Sequence, residues 1–119
     1  MKRLVPLLLL AAAPLHAEPP EIVSAEATET AGGWRIAVTL RHPDTGWDHY
    51  ADGWEVLAPD GTRLGFRELA HPHVNEQPFT RSLSGVAIPD AIRQITIRAR
   101  CGRDGWSEDG LTIPLPRAD

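Results

Sequence analysis

Trp34-Arg35-Ile36-Ala37-Val38-Thr39-Leu40-Arg41 sets the fold class. Trp34, Ile36, Val38 and Leu40 fall on one parity, and Arg35, Ala37, Thr39 and Arg41 on the other. A period of two places every large apolar side chain on one face of an extended strand. Upstream, Val23, Ala25 and Ala27 alternate with Ser24, Glu26 and Thr28, and Ala31-Gly32-Gly33 supplies a tight turn between the two runs. Downstream, Pro43, Asp44 and Gly46 break the alternation and open a long loop, 42–52.

The same reading continues along the chain. Trp54, Val56 and Ala58 share a face and end at Pro59-Asp60-Gly61, a turn sequence with pre-set backbone angles. Leu64 and Phe66 share a face in the returning strand, 62–69. Loop 70–78 follows, interrupted by Pro72 and Pro78. In 79–88, Phe79, Arg81 and Leu83 have one parity and Val86 and Ile88 the other, so Gly85 marks a bulge that switches faces. Ile95, Ile97, Ala99 and Cys101 alternate with Thr96, Arg98 and Arg100. Loop 102–110 then leads to Leu111, Ile113 and Leu115, where Pro114 and Pro116 mark an edge strand. Seven short strands with turns between them and no helical period predict an all-β, two-sheet Greek-key sandwich.

At the N-terminus, Lys2 and Arg3 precede a Leu/Ala-rich run ending at Leu15-His16-Ala17. The charged start, short apolar segment and small residue make a secretory signal over residues 1–17, too short to span a bilayer. Residues 18–119 then form a single domain, expected to be periplasmic or secreted and not integral to a membrane. The chain has 12 Lys and Arg against 16 Asp and Glu, a formal net charge of −4. Loss of Lys2 and Arg3 makes it more acidic, which argues against nucleic acid as a partner. Cys101 is the single cysteine, so no disulfide forms within the chain.

Two passages and two tryptophans resemble the fibronectin type III and related immunoglobulin-like domains. Thr80-Arg81-Ser82-Leu83-Ser84-Gly85-Val86-Ala87-Ile88-Pro89 is similar to their passage from fifth to sixth strand, and Ile95-Thr96-Ile97-Arg98-Ala99 to their sixth strand. Trp34 and Trp54 stand where such domains carry core aromatics. The tyrosine that commonly leads into the sixth strand is absent, with Gln94 nearby, and so are the paired cysteines of antibody domains. The segment His71-Pro72-His73-Val74-Asn75-Glu76-Gln77-Pro78-Phe79 resembles the signature of a narrower bacterial exported family, which implies no particular activity.

In such a sandwich, alternate loops gather at opposite ends. The short turns 30–33, 59–61 and 89–93 share one pole. The long loops 42–52, 70–78 and 102–110 share the other, and binding sites favour long loops on a rigid frame. One candidate there is a metal site, His49, His71, His73, Glu76 and Cys101, because imidazole and thiolate suit copper and zinc. Against it, Pro72 can simply stiffen a loop whose histidines bond to backbone or water. A second candidate is a partner surface of Trp47, Tyr50, His71, His73, Glu76 and Trp106, since exposed aromatics anchor interfaces. Alternatively, Trp47 and Trp106 fold back to plug the sandwich. Ser82 and Ser84 lack a strand-turn-helix elbow, and the parity of Cys101 turns it inward, so no catalytic residue is expected.

The sequence therefore predicts a non-enzymatic exported module that binds a protein or envelope partner, without a cofactor. The alternative is a periplasmic copper or zinc protein. Mass spectrometry of the exported protein is expected to find Glu18 at or near the N-terminus; an intact Met1 in that fraction contradicts the signal assignment.

Overall fold

The computed structural model describes residues 18–117; the signal segment assigned to residues 1–17 lies outside them. The strands are β1 (Glu21–Thr30), β2 (Gly33–Arg41), β3 (Ala51–Leu57), β4 (Arg63–Glu68), β5 (Phe79–Val86), β6 (Gln94–Cys101), β7 (Gly105–Trp106) and β8 (Leu111–Pro114). They form two antiparallel sheets. The smaller has the order β1-β2-β5; the larger runs β4-β3-β6-β7, with β8 also paired to β6. Among the described residues no helix is long and apolar enough to cross a membrane.

The alternation in the sequence becomes the core. Trp34, Ile36, Val38 and Leu40 of β2 are buried, facing Ile95, Ile97 and Ala99 of β6 and Trp54 and Val56 of β3. Arg35 and Arg41 point to solvent, as their parity requires. Gly85 takes φ +70°, and the β2–β5 register slips there: Ile36 lies opposite Leu83 but Trp34 opposite Val86. The bulge carries one extra residue, so Phe79 and Val86 both reach the core despite opposite parity. β8 pairs only with β6, leaving Pro114 at an edge where a missing N–H does no harm.

One expectation is corrected. Seven strands were read from the sequence and eight are present among the described residues, because Gly105–Trp106 inside loop 102–110 pairs with the end of β6, Trp106 opposite Arg100. Two residues cannot display a period, so the pattern carries no trace of them. This places Trp106 on the outer face of the larger sheet. The guanidinium carbons of Arg98, Arg100 and Arg63 lie 5.3, 5.6 and 5.9 Å from its ring centroid. Arg63 also bonds to the buried Glu55, and Arg100 donates twice to Asp52 at 3.0 and 3.1 Å. The arginines and their carboxylates are thus largely balanced across this face.

The pairings Leu40–Phe79, Ala51–Cys101 and Gly53–Glu68 bring the end of β2, the start of β3, the end of β4, the start of β5 and the end of β6 to one pole. The three long loops meet there. Trp54 is fully buried at the centre of the core. Trp54→Ala is expected to cost about 3–5 kcal/mol, read from urea midpoints; an unchanged midpoint contradicts this packing.

Candidate metal centre

β2 keeps its inward parity for one more step, from Leu40 to His42, which is the first residue beyond the strand and is buried. Its backbone N–H donates to Gln77 Oε1 at 3.0 Å. Two residues on, the buried Asp44 turns its carboxylate back. Oδ1 lies 2.6 Å from His42 Nδ1 and accepts the Ala51 N–H at 2.9 Å, while Oδ2 accepts the His73 N–H at 2.8 Å. A small turn follows. Thr45 donates its N–H to His49 O, and His49 donates its own to Gly46 O. The turn swings His49 inward, its ring centroid 4.8 Å from that of His42. Trp47, at the tip, points outward.

The other half of the site comes from the larger sheet. Cys101 ends β6 on its inward parity and is fully buried. The turn that follows wraps back on the sulfur, with the backbone N–H groups of Asp104 and Arg103 donating to it. Burial raises the thiol pKa against those donors, and the nearby Asp104 carboxylate raises it further, so the free thiol stays protonated. Asp104 Oδ2 lies 2.9 Å from His42 Nε2 and 2.6 Å from His49 Nε2. Burial alone would raise the Asp104 pKa, but bonds from His42 and His49 outweigh it and hold the carboxyl at about 2.

Ligand atoms of His42, His49, Cys101 and Asp104 all lie within 4.8 Å of one another. Two nitrogen or oxygen ligands about 2.0–2.1 Å from a tetrahedral ion sit about 3.3 Å apart, so modest movement would accommodate one. The hydrogen bonding also calls for positive charge at this point. Asp44 is an acceptor, so His42 Nδ1 carries the proton and a neutral ring presents its Nε2 lone pair to Asp104. Two lone pairs at 2.9 Å need a cation between them: a second proton on the ring, or a metal ion taking both. A carboxylate behind the distal ring nitrogen is also the usual support of a metal-bound histidine.

The five ligands proposed from the sequence therefore do not form one group. His49 and Cys101 converge. His71, His73 and Glu76 stand apart from them. His73 is buried with its ring stacked 4.0 Å from Phe79, His71 bonds to the Pro72 carbonyl, and Glu76 pairs with Arg81 at 2.9 Å. Neither ring nitrogen of His73 has a hydrogen-bond partner among the described residues. Burial, then Arg81 and His71, lower its pKa and keep the ring neutral. His42 and Asp104 were missed, although His42 shares the parity of Leu40 as Cys101 shares that of Ala99. Asp104 carries no such mark, since only the turn after Cys101 brings it back. Of the partner-surface candidates, Trp47 is 70% exposed, with Tyr50 edge-on at 5.8 Å, and does not plug the sandwich. Trp106 is held among arginines on the sheet face.

Two outcomes follow from this geometry. Asp44→Ala is expected to cost about 3 kcal/mol, since a buried donor left without its acceptor costs about 1–3 kcal/mol and Asp44 serves donors of His42, Ala51 and His73; a change below about 1 kcal/mol in urea unfolding contradicts the arrangement. Asp104, its carboxyl held below the ordinary 3.8, contributes stability that is present above about pH 4 and lost as pH falls through about 2. The wild type's advantage over Asp104→Asn in acid titration is expected to shrink over that window; a constant difference down to pH 2 contradicts the assigned bonds.

No family model matches the chain, and no solved structure matches it. It is similar to a protein of Halomicrobium mukohataei described as "Putative lipoprotein", 37% identical over 87 residues, which make up 71% of this chain and 42% of that protein. The chain thus spans less than half the length of the relative it matches.

Proposed function

We propose that this protein is an exported, non-enzymatic β-sandwich that binds one divalent transition-metal ion, zinc or copper, through His42, His49, Cys101 and Asp104. The convergence of these four ligand atoms within 4.8 Å carries the reading. The donor set fits the metal class, since imidazole, thiolate and carboxylate together suit zinc and copper(II). Charge sets the valence: a deprotonated Cys101 and Asp104 neutralise a dication, whereas a monovalent ion leaves a buried net negative charge beside Asp44. The exported setting is supported by the signal-like N-terminus and by the description of the similar protein as "Putative lipoprotein". A fibronectin type III-like scaffold is supported by the grouping β1-β2-β5 against β4-β3-β6 with β8.

One observation favours a second reading, in which a protein or envelope partner docks at the same pole. Trp47 is among the large apolar side chains that stand exposed, and Tyr50 supports it. A rigid aromatic at a turn tip is the kind of residue that anchors an interface.

Elemental analysis and calorimetric titration of purified protein separate the two. The metal reading expects one zinc or copper ion per chain. His42→Ala and Cys101→Ala are expected to abolish uptake, while His71→Ala and His73→Ala leave the stoichiometry at one. Uptake is expected to weaken as the solution is acidified, because protons compete with the metal for imidazole, thiolate and carboxylate. No metal above background at neutral pH overturns the reading, and the four side chains then serve as a hydrogen-bonded tie between loops. The partner reading expects Trp47→Ala to abolish capture of a partner without changing metal content.

A further inference from the structure

The four ligands are not held alike, and the difference carries a consequence for how an ion would come and go; it rests on the metal reading above. His42 and Cys101 have side chains with no solvent exposure, and each is fixed from behind. Asp44 holds the His42 ring, and the Arg103 and Asp104 amides hold the Cys101 sulfur. His49 and Asp104 are different. Their side chains are 14% and 10% exposed, and both ride on loop turns beyond the strand ends. The support behind His49 is a single 3.4 Å contact from its Nδ1 to Thr45 Oγ1. Asp104 also belongs to a second feature, an open surface cleft of about 560 Å³ lined by Pro19, Pro20, Trp106, Glu108 and Asp109 among others. One residue thus closes the ligand cluster and forms part of the wall of the cleft.

We infer that His42 and Cys101 are the retaining ligands and that His49 and Asp104 are the exchanging ones, with the cleft beside Asp104 as the route of the ion. The centre is then one from which a divalent cation is taken up and handed to a competing ligand, in contrast to a closed structural site. An incoming oxygen- or nitrogen-donor chelator displaces the Asp104 carboxylate first, because that ligand is the one bordering the cleft. His49 follows as its turn swings out. Through both steps His42 and Cys101 keep two bonds to the ion, so the metal is never released bare. The exposed carboxylates Glu108 and Asp109 in the cleft wall draw cations toward the mouth.

The test is stopped-flow transfer of zinc from the loaded protein to EDTA, with direct titration of zinc into the metal-free protein. For the wild type, the transfer rate is expected to rise with EDTA concentration, as attack on an accessible face requires. His49→Gln and Asp104→Asn are expected to keep one zinc per chain but to release it at least about tenfold faster, the step expected when a contact worth 1.4 kcal/mol is removed. His42→Gln and Cys101→Ser are expected to lose stoichiometric binding. Glu108→Lys, which leaves all four ligands in place, is expected to slow zinc uptake at low salt and to leave the one-to-one stoichiometry unchanged. Circular dichroism of each variant establishes that the sandwich is folded. A wild-type transfer rate independent of EDTA concentration overturns the inference, as does loss of zinc in Asp104→Asn equal to that in Cys101→Ser. Both results leave the metal reading intact. A wild type that takes up no zinc or copper overturns the metal reading itself, and this inference with it.

Discussion

The loop-rich pole depends on one buried carboxylate. Asp44 accepts from the His42 ring, the Ala51 backbone and the His73 backbone, and so ties the end of β2, the start of β3 and the loop before β5 to a single point. A buried ionised group is costly unless every lone pair finds a donor, and here the donors come from three separate segments. The interaction is therefore all-or-none, because loss of any one segment leaves the others around an under-satisfied charge. Gln77 reinforces the same junction, accepting the His42 N–H and donating to the His73 carbonyl. Long loops that would otherwise be free are held in one conformation by these contacts.

The sandwich beneath makes such a junction possible. Inward-facing side chains of β2, β3 and β6 pack to near-complete burial, and a core at native density does not deform to absorb a misplaced group. His42 and Cys101 each continue the inward parity of a strand, Cys101 at the last position of β6 and His42 one step beyond β2, one in each sheet. Where the two sheets reach the end of their common core, apolar residues give way to an imidazole and a thiol that face each other across the gap. The ligand cluster is thus the continuation of the hydrophobic core into its polar rim. The inner pair takes its direction from the strands, and loop residues, Asp44 and Gln77 around His42, fix it there.

This explains what could be read in the sequence and what could not. Strand positions, the inward face of Trp34 and Trp54, the Gly85 bulge and the exposed edge at β8 all follow from parity and backbone chemistry, which are local. The pole that would gather the long loops also followed, because topology alternates the connections. The identity of the ligand set did not. His71 and His73 attracted attention because two histidines flank a proline, yet the ring of His73 lies on Phe79. Residues 42 and 104 are far apart in the chain and meet through cross-strand register, which no spacing rule reveals. The parity of His42 was available and pointed the right way. That of Asp104 was not, since a turn reversing after Cys101 can present its fourth residue in several directions. Trp106 was misplaced for a related reason: a two-residue strand is fixed by its partner, not by its own pattern.

With a single cysteine in the chain, the proposed metal centre would have a role in stability as well as in ligation. Immunoglobulin-type sandwiches often pin their two sheets with a disulfide, and a chain with one thiol has no such bond. Here the sheets meet at the pole through His42 from one side and Cys101 from the other, with Asp104 and His49 between them. An ion bound by all four would cross-link the sheets at a position where hydrogen bonds alone act. Binding then adds directly to folding stability, by about 2.7 kcal/mol when free metal stands at one hundred times the dissociation constant. On that proposal the module would be most rigid when loaded and loosest at the ligand pole when empty. The division between buried and outward ligands confines that loosening to the turns bearing His49 and Asp104, while Asp44 keeps the rest of the pole in place.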